Sequence, residues 1–441
     1  MQSRPASSPR VYVHTLGCPK NAADSRAVVR SLIEAGVSVM EDPEDATHIV
    51  VNTCGFIQEA KEESIAAILD VCANYAEKWV LVMGCLVERY RDELADGIPE
   101  VAGWFGLAGG PDQSNLLQSL GPRNATLGAG PDGPSRPNAA HAYLKISDGC
   151  SEPCTFCAIP AIKGPYHSVG ASEILREARA CLSEGARELI LVGQDTALWE
   201  ADGLGLTGLI DLLAADDRVR WLRVMYLQPE HVTDAFLSYM AKQPKLCRYL
   251  DVPFQHSHPE VLRRMGRGGD GDTYLEFLQR ARRIIPGVSV RTAFIVGFPG
   301  ETVEQFEHLL DFVDEARFDY GGGFVYSPEE GTSAAVLQPR VRRSVALERL
   351  NRLSALLGER AECGHQSVVG SRVKVMIDSL DPEDAGEGAT AVGRTAGQAP
   401  EVDGVTYVEG HLPGDVAPGD VVTVRVSAAM GYDLAGTYDA S

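Results

Sequence analysis

The chain has 441 residues, 44% hydrophobic and 23% charged, which are the proportions of a folded protein of two or three domains and exclude wholesale disorder. Lys and Arg number 40 against 61 Asp and Glu, a net charge of −21, which argues against a general phosphate-backbone binder and suits a basic protein partner. No apolar run approaches the roughly 20 residues of a membrane span, and the opening MQSRPASSPR has no apolar core of a secretory signal, so no membrane partner and a cytoplasmic location are expected.

Residues 1–9 read as a short disordered leader. Residues 10–120 alternate strands (10–17, 47–53, 78–84) with helices (Asp24 to about Ala35, Ile57 to Ala76). Continuous apolar strands separated by helices predict a parallel, doubly wound α/β sheet. Residues 121–140 are rich in Gly and Pro and read as a linker. Residues 141–365 hold six strand candidates, 142–147, 188–193, 221–227, 249–254, 288–297 and 319–327, with helical patterns such as 172–183, 272–285 and 302–315 between them. Six βα units predict a partial (βα)6 TIM-like barrel, open where eight units would close it. A basic amphipathic helix over 340–365 trails it, with Val345, Leu350, Leu353, Leu356 and Leu357 on its apolar side. Residues 366–441 lose the helical period and predict a small antiparallel β-barrel, with four basic residues (Arg372, Lys374, Arg394, Arg425) against twelve acidic ones.

Ten cysteines are too few for a disulfide scaffold in a chain of this length, so their clustering is the informative feature. Cys150-x3-Cys154-x2-Cys157 follows the first barrel strand, at the end where barrel active sites lie. Three thiolates on one loop suit three corners of an iron–sulfur cube with one iron left open. A zinc knuckle completed by His141 or His167 is the alternative, disfavoured because zinc motifs usually pair two C-x2-C units. Cys18, Cys54 and Cys85 each follow one of the three N-terminal strands. Parallel strands end along one sheet edge, so these thiols are expected to converge there, near helix N-termini that favour thiolates. The other reading of this set is three unrelated rim cysteines.

C-x3-C-x2-C with Phe156 before the last Cys resembles the radical S-adenosylmethionine (SAM) signature. With TLGCPKNAADS (15–25), VNTCGFIQEAKEES (51–64), GCLVERY (84–90), YLKISDGC (143–150), DVPFQHSHPEVLRRMGR (251–267), RTAFIVGFPGET (291–302) and GRTAGQAPEVDG (393–404), nearly the whole chain resembles the methylthiotransferase family. That family has an N-terminal methylthiotransferase domain, a radical SAM barrel and a C-terminal β-barrel called TRAM. The resemblance implies two 4Fe-4S clusters and SAM as cofactors. Cys150, Cys154 and Cys157 would hold the cluster that cleaves SAM to a deoxyadenosyl radical, and Cys18, Cys54 and Cys85 an auxiliary cluster that presents sulfur. Within the family the chain resembles most the members that convert C–H to C–SCH3 at the β-carbon of an aspartate of small-subunit ribosomal protein twelve. The resemblance also implies a low-potential electron donor such as flavodoxin or ferredoxin. A monomer is expected.

The acidic C-terminal barrel makes transfer RNA an unexpected partner and a basic ribosomal protein an expected one. The alternatives are the same chemistry on a modified adenosine of transfer RNA, or an iron–sulfur electron carrier or ribosome-binding module without turnover. A carrier wants every iron held by protein, and both sites lack a fourth Cys.

Gln194 and Asp195 end the second barrel strand and Gln255 and His256 follow the fourth, where cofactor contacts or loop capping are expected. Arg291 starts the long fifth strand, and Gly297 and Gly300 in GFPGE resemble the adenosine-contacting region, where glycine permits close approach. Arg263, Arg264 and Arg267 are expected to face the substrate or cofactor carboxylate or to end a solvated helix. GLGLTG (203–208) lies too far beyond its strand for a dinucleotide site. Cys72, Cys181, Cys247 and Cys363 are expected to be buried small hydrophobes. The chain departs from the family pattern at Val169, where the family has Arg, at Gln228, where an aromatic is usual, and at LWEADG (198–203).

Overall fold

A computed structural model describes residues 9–120, 140–381, 383 and 388–440. The expected leader and linker lie outside the described residues, apart from residues 9 and 140. The described residues form two compact units, one within 1–137, 149–151 and 158–166, the other within 138–148, 152–157 and 167–441.

The first unit is built on β1 (Arg10–Thr15), α1 (Pro19–Glu34), β2 (Ser38–Val39), β3 (His48–Thr53), α2 (Gln58–Asn74), β4 (Trp79–Gly84), α3 (Cys85–Gly97), β5 (Gly103–Phe105) and α4 (Pro111–Leu120). All strand pairings are parallel, in the order β2-β1-β3-β4-β5. Every residue of β3 is buried, which is why HIVVNT is apolar on both faces. Val50 faces a core with Val28, Leu32 and Leu116, while Ile49 and Val51 face Ile68, Leu86 and Leu94, so helices cover both sheet faces. The sequence pattern placed the three long strands; β2 and β5 are too short to carry a period. Helix α1 begins earlier than Asp24, because Pro19 fits the first helical turn, where its missing N–H has no partner to lose.

The second unit begins with β6 (His141–Lys145) and β7 (Ser147–Asp148); α5 (Ile159–Lys163) intervenes in the chain and belongs to the first unit. There follow β8 (His167–Ser168), α6 (Ala171–Ser183), β9 (Glu188–Val192), the hairpin β10 (Glu200–Ala201) and β11 (Leu204–Gly205), α7 (Leu206–Ala214), β12 (Trp221–Val224), α8 (Asp234–Lys242), β13 (Tyr249–Asp251), α9 (Pro259–Arg264), α10 (Gly271–Ile284), β14 (Ser289–Val296), α11 (Val303–Ala316) and β15 (Tyr320–Val325). Parallel sheets β6-β9-β12 and β13-β14-β15 meet through a Leu222–Leu246 bridge, so six strands run in chain order around an open arc. This is the expected partial (βα)6 barrel. Helix α12 (Arg343–Gln366) packs on β15, where Gly321 and Gly323 leave room for Leu357 and Leu350.

The C-terminal part is a closed barrel of β16 (Arg372–Ser379), β17 (Ala391–Thr395), β18 (Thr406–Glu409), β19 (Val421–Met430) and β20 (Asp433–Tyr438). Four of its pairings are antiparallel, and the β18–β20 pairing is parallel. Its loop 396–403 reaches β12 and β13 of the six-stranded barrel. There Arg223 Nη1 donates to Ala396 O (3.0 Å) and Tyr249 donates to Asp403 (2.6 Å). Among the described residues no helix is long and apolar enough to cross a membrane.

Candidate iron–sulfur centres

Cys18 caps the start of α1, Cys54 follows β3, and Cys85 follows β4 as the first residue of α3. Each has a glycine beside it. A Cβ on Gly17 would lie 2.6 Å from Cys54 Cβ, and one on Gly55 2.7 Å from Leu86 Cα. Gly84 has φ +107°, and its Cβ would meet Thr53 O at 2.5 Å. The glycines therefore let three strand-end loops close on one another. Two asparagines lace the same edge: Asn21 Nδ2 donates to Leu16 O and Thr53 O, and Asn52 Nδ2 donates to Asn21 O and Ser25 Oγ. Ser64 clamps Cys54 by accepting from its N–H (3.1 Å) and donating to its carbonyl (2.8 Å).

Burial pushes the Cys85 thiol up to about 12, against the pull of the nearby Lys163 cation, while Cys54 and Cys18 add to the rise. Cys54 is raised as well, by burial first and by Cys18 among its neighbours. Lys163, on α5, forms a buried ion pair with Asp24 at 3.4 Å. Ala158 and Ile162 pack against Cys85. Two buried thiols that resist deprotonation on their own, with the half-buried Cys18 beside them, are a donor set waiting for positive charge, which a metal centre supplies.

The second set sits on the loop after β7. Gly149 has φ +67°, and its Cβ would fall 2.2 Å from Pro165 O; Cys150 N–H donates to Gly164 O at 3.1 Å. Cys157 N–H donates to Cys154 O (3.2 Å), a tight turn that brings these two residues together. Thr155 is held at both ends of its residue, its N–H donating to Met265 O (2.9 Å) and its hydroxyl to Arg264 O (2.8 Å). Arg267 Nη1 lies 3.8 Å from Cys154 Sγ.

Residues 10–106 match the family described as uncharacterized protein family UPF0004, residues 144–313 the radical SAM superfamily, and residues 369–438 the TRAM domain. The chain is 40% identical to the ribosomal protein uS12 methylthiotransferase RimO of Anaeromyxobacter sp. (strain K), over 97% of this chain and 92% of that protein. It is 39% identical to RimO of Aquifex aeolicus, over 97% of this chain and 96% of that one. The chain belongs to the RimO family. In fold it also resembles the radical SAM methyltransferase TsrM of Kitasatospora setae (TM-score 0.53, 15% identity, covering 75% of this chain and 77% of that one).

The 4Fe-4S clusters of this radical SAM family fit both donor sets. Each set offers three thiols, and each is flanked by a glycine whose Cβ would clash. Among the described residues no fourth cysteine accompanies either set. Cys181 lies in the barrel core, and burial pushes the Cys247 thiol up to about 12. Cys72 is half-buried beside the α2–α3 core, and Cys363 is exposed. The expectation of burial fails for Cys363 because it lies on α12 away from the residues that helix buries, Leu357 and Ala361 among them.

Several other expected site residues gather at the C-terminal ends of the barrel strands. Gln194 Nε2 donates to Asp148 Oδ1 (3.2 Å), and its Oε1 is buried without a hydrogen-bond partner. Asp195 is fully buried, caps a helical turn at Ala197 and meets His231 Nδ1 at 2.5 Å. Burial raises the Asp195 carboxyl, and its bond to His231 opposes the rise. Glu152, Asp195 and His231 form one cluster of ligand-type side chains. Phe156 packs with Val261, Met265, Phe298 and Ala334.

Others are occupied elsewhere. His256 is fully buried; burial lowers its pKa, its Nδ1 accepts from His258 N–H, and its Nε2 faces Glu301 Oε1 at 3.5 Å. Gln255 sits at φ +67° and its backbone pairs with Ala293 and Ile295. The space beside Gly297 is filled by Ala346 (2.5 Å from its notional Cβ), and that beside Gly300 by the Arg264 guanidinium (2.0 Å). Arg264 braces this loop by donating to Pro299 O and Gly300 O. Arg291 is not brought to the rim: it is the third residue of β14 and pairs with Asp251 (2.9 Å) and Asp403 (3.3 Å). Arg263 is exposed and pairs with Glu260.

Two of the departures from the family pattern, Val169 and the LWEADG segment, meet one another. Trp199 is 1% exposed, and its indole N–H donates to Val169 O at 3.0 Å. The motifs left Glu152, Lys163, His231, Asn21 and Asn52 unmarked. Nearness to cysteines was the available signal for Glu152 and the asparagines; only the fold could show Lys163 and His231.

Proposed function

We propose that the chain installs a methylthio group on the β-carbon of an aspartate of ribosomal protein uS12, with Cys150, Cys154 and Cys157 holding the SAM-cleaving cluster and Cys18, Cys54 and Cys85 the auxiliary one. The observation that carries this reading is the convergence of Cys18, Cys54 and Cys85 at one sheet edge, each beside a glycine with no room for a Cβ. When bound, one cluster supplies the electron that cleaves SAM and the other presents sulfur to the substrate carbon.

The chain's own residues do the positioning and the exclusion of water. Phe156 and its apolar neighbours keep water from the Cys157 side of the loop. Asp195 fixes the ring orientation of His231 at the barrel mouth, where Gln194 and Asp148 add oriented polar groups for cofactor or substrate. Lys163 places a buried cation beside Cys85.

Charge supports a protein substrate. Of the basic residues in 366–441, Arg394 is buried, Arg372 and Arg425 both pair with Asp439, and Lys374 donates to Thr423, so the TRAM barrel offers phosphates little. A cytoplasmic monomer reduced by flavodoxin or ferredoxin, with domains at 10–120, 141–365 and 366–441, completes the proposal.

The test is mass spectrometry on anaerobically reconstituted full-length protein given reductant, SAM and sulfide. It is offered uS12 or transfer RNA bearing the modified adenosine. A gain of CH2S on an aspartate of uS12 is expected. Cys85→Ala is expected to lose that gain and keep reductive SAM cleavage, while Cys154→Ala loses both. A gain on the RNA alone would overturn the substrate, and SAM cleavage by Cys154→Ala would overturn the ligand assignment.

A further inference from the structure

The segment Met265-Gly266-Arg267 forms a cradle for the cysteine loop. Gly266 has φ +73°, and a Cβ there would lie 2.4 Å from Pro153 O, so only glycine permits the approach. Met265 O and Arg264 O hold Thr155. Arg267 extends from this cradle with its side chain only 5% exposed. Nη1 lies 3.8 Å from Cys154 Sγ, within reach of an N–H···S bond, and Nη2 donates to Pro253 O at 3.3 Å. Its carboxylate neighbour, Glu230, stands back at 3.9 Å, and Nε is buried without a partner. A guanidinium buried this deeply normally has a bonded carboxylate. Here its nearest anionic or anion-forming group is a sulfur.

We propose that Arg267 is a positioning residue for the SAM-cleaving cluster, holding the Cys154 sulfur through a charge-assisted N–H···S bond and making that cluster easier to reduce. The proposal rests on the reading that Cys150, Cys154 and Cys157 ligate that cluster. The cause is electrostatic. Adding an electron makes the cluster and its thiolates more negative, and a fixed cation donating to one of them stabilises the reduced form. Lys keeps the charge and loses the planar fork, while Met keeps most of the bulk and loses both.

The test is EPR-monitored redox titration of full-length, fully reconstituted wild type, Arg267→Lys, Arg267→Gln and Arg267→Met. The SAM-cleaving cluster is identified as the signal that changes on adding SAM, and iron is counted per chain. The midpoint of that signal is expected to fall in Gln and Met, to fall less in Lys, and to leave the SAM-insensitive signal where it was. Variants that hold full iron with an unshifted midpoint would overturn the role of Arg267. Should Met lose the cluster, the Lys and Gln midpoints decide in the same way. A wild-type protein with no SAM-responsive signal would instead overturn the ligand assignment on which the proposal rests.

Discussion

Gly17, Gly55 and Gly84 determine how near the first three thiols come, and Gly84 is the most constrained of them. Its φ of +107° is strained for any L side chain, and its Cβ would meet Asn52 Oδ1 at 2.6 Å as well as Thr53 O. Gly84→Ala is expected to destabilise the first unit by the roughly 1–3 kcal/mol of a forced backbone conformation, with the clash in addition. Because the clash pushes β3 from β4 at Cys54 and Cys85, iron content is expected to fall from two clusters towards one. Calorimetry and iron determination check this; an unchanged melting temperature with full iron would refute it. At this scale the cysteines were legible because their chemistry and strand-end positions can be read locally. The contact of Arg267 with Cys154 was not, since the two are separated by 113 residues. Nor was the filling of Gly297 and Gly300 by Ala346 and Arg264: a glycine signals close approach without naming the partner.

Elements with continuous apolar character were readable, and all six barrel strands, the three-residue β13 included, lie where the pattern put them, shortened at their C-terminal ends. What the pattern could not show is how elements are locked together. Glu188, the first residue of β9, is fully buried and receives Arg223 of β12 (2.7 Å) and Arg394 of β17 (2.7 Å); Arg394 also pairs with Asp378 of β16 (2.8 Å). This lock joins the six-stranded barrel to the TRAM barrel across 206 residues of chain. Burial alone would raise the Glu188 carboxyl, but the two guanidinium groups outweigh it and hold it well below the usual carboxylate range. Because the folded value lies below the unfolded one, Glu188 contributes stability above the unfolded pKa of about 4.3. That stability is lost as pH falls through the folded value. Arg394→Met strips a partner from the buried Glu188 and the half-buried Asp378 and is expected to cost about 3–5 kcal/mol near neutral pH. Glu188→Gln is expected to weaken the fold near neutral pH and to flatten the acid limb of its stability curve. Urea unfolding followed from neutral into acid pH measures both; an acid limb in Glu188→Gln as steep as in wild type would show that the lock does not titrate.

For the molecule as a whole, the order of a doubly wound domain, a βα barrel and a small β-barrel was legible because each has its own hydrophobic period and composition. The grouping of 149–151 and 158–166 with the N-terminal unit was not, since tertiary packing decides it rather than pattern. Net charge is also a whole-molecule property, and here it has a consequence for the encounter with substrate. A chain at −21 whose TRAM cations are engaged internally presents a negative field to a basic protein. Such a field speeds encounter at low ionic strength and fades once the screening length drops below about 10 Å. KM for uS12 is therefore expected to rise by about tenfold as salt is raised from low to several hundred millimolar, as for other steered encounters. Cleavage of SAM in the absence of uS12 has no such encounter step, and its rate is expected to stay level over the same range. Steady-state kinetics with uS12 at a series of salt concentrations, with deoxyadenosine production alone as the reference, separates the two. A KM indifferent to salt would mean that apolar contacts, rather than the acidic field, bring the ribosomal protein to the enzyme.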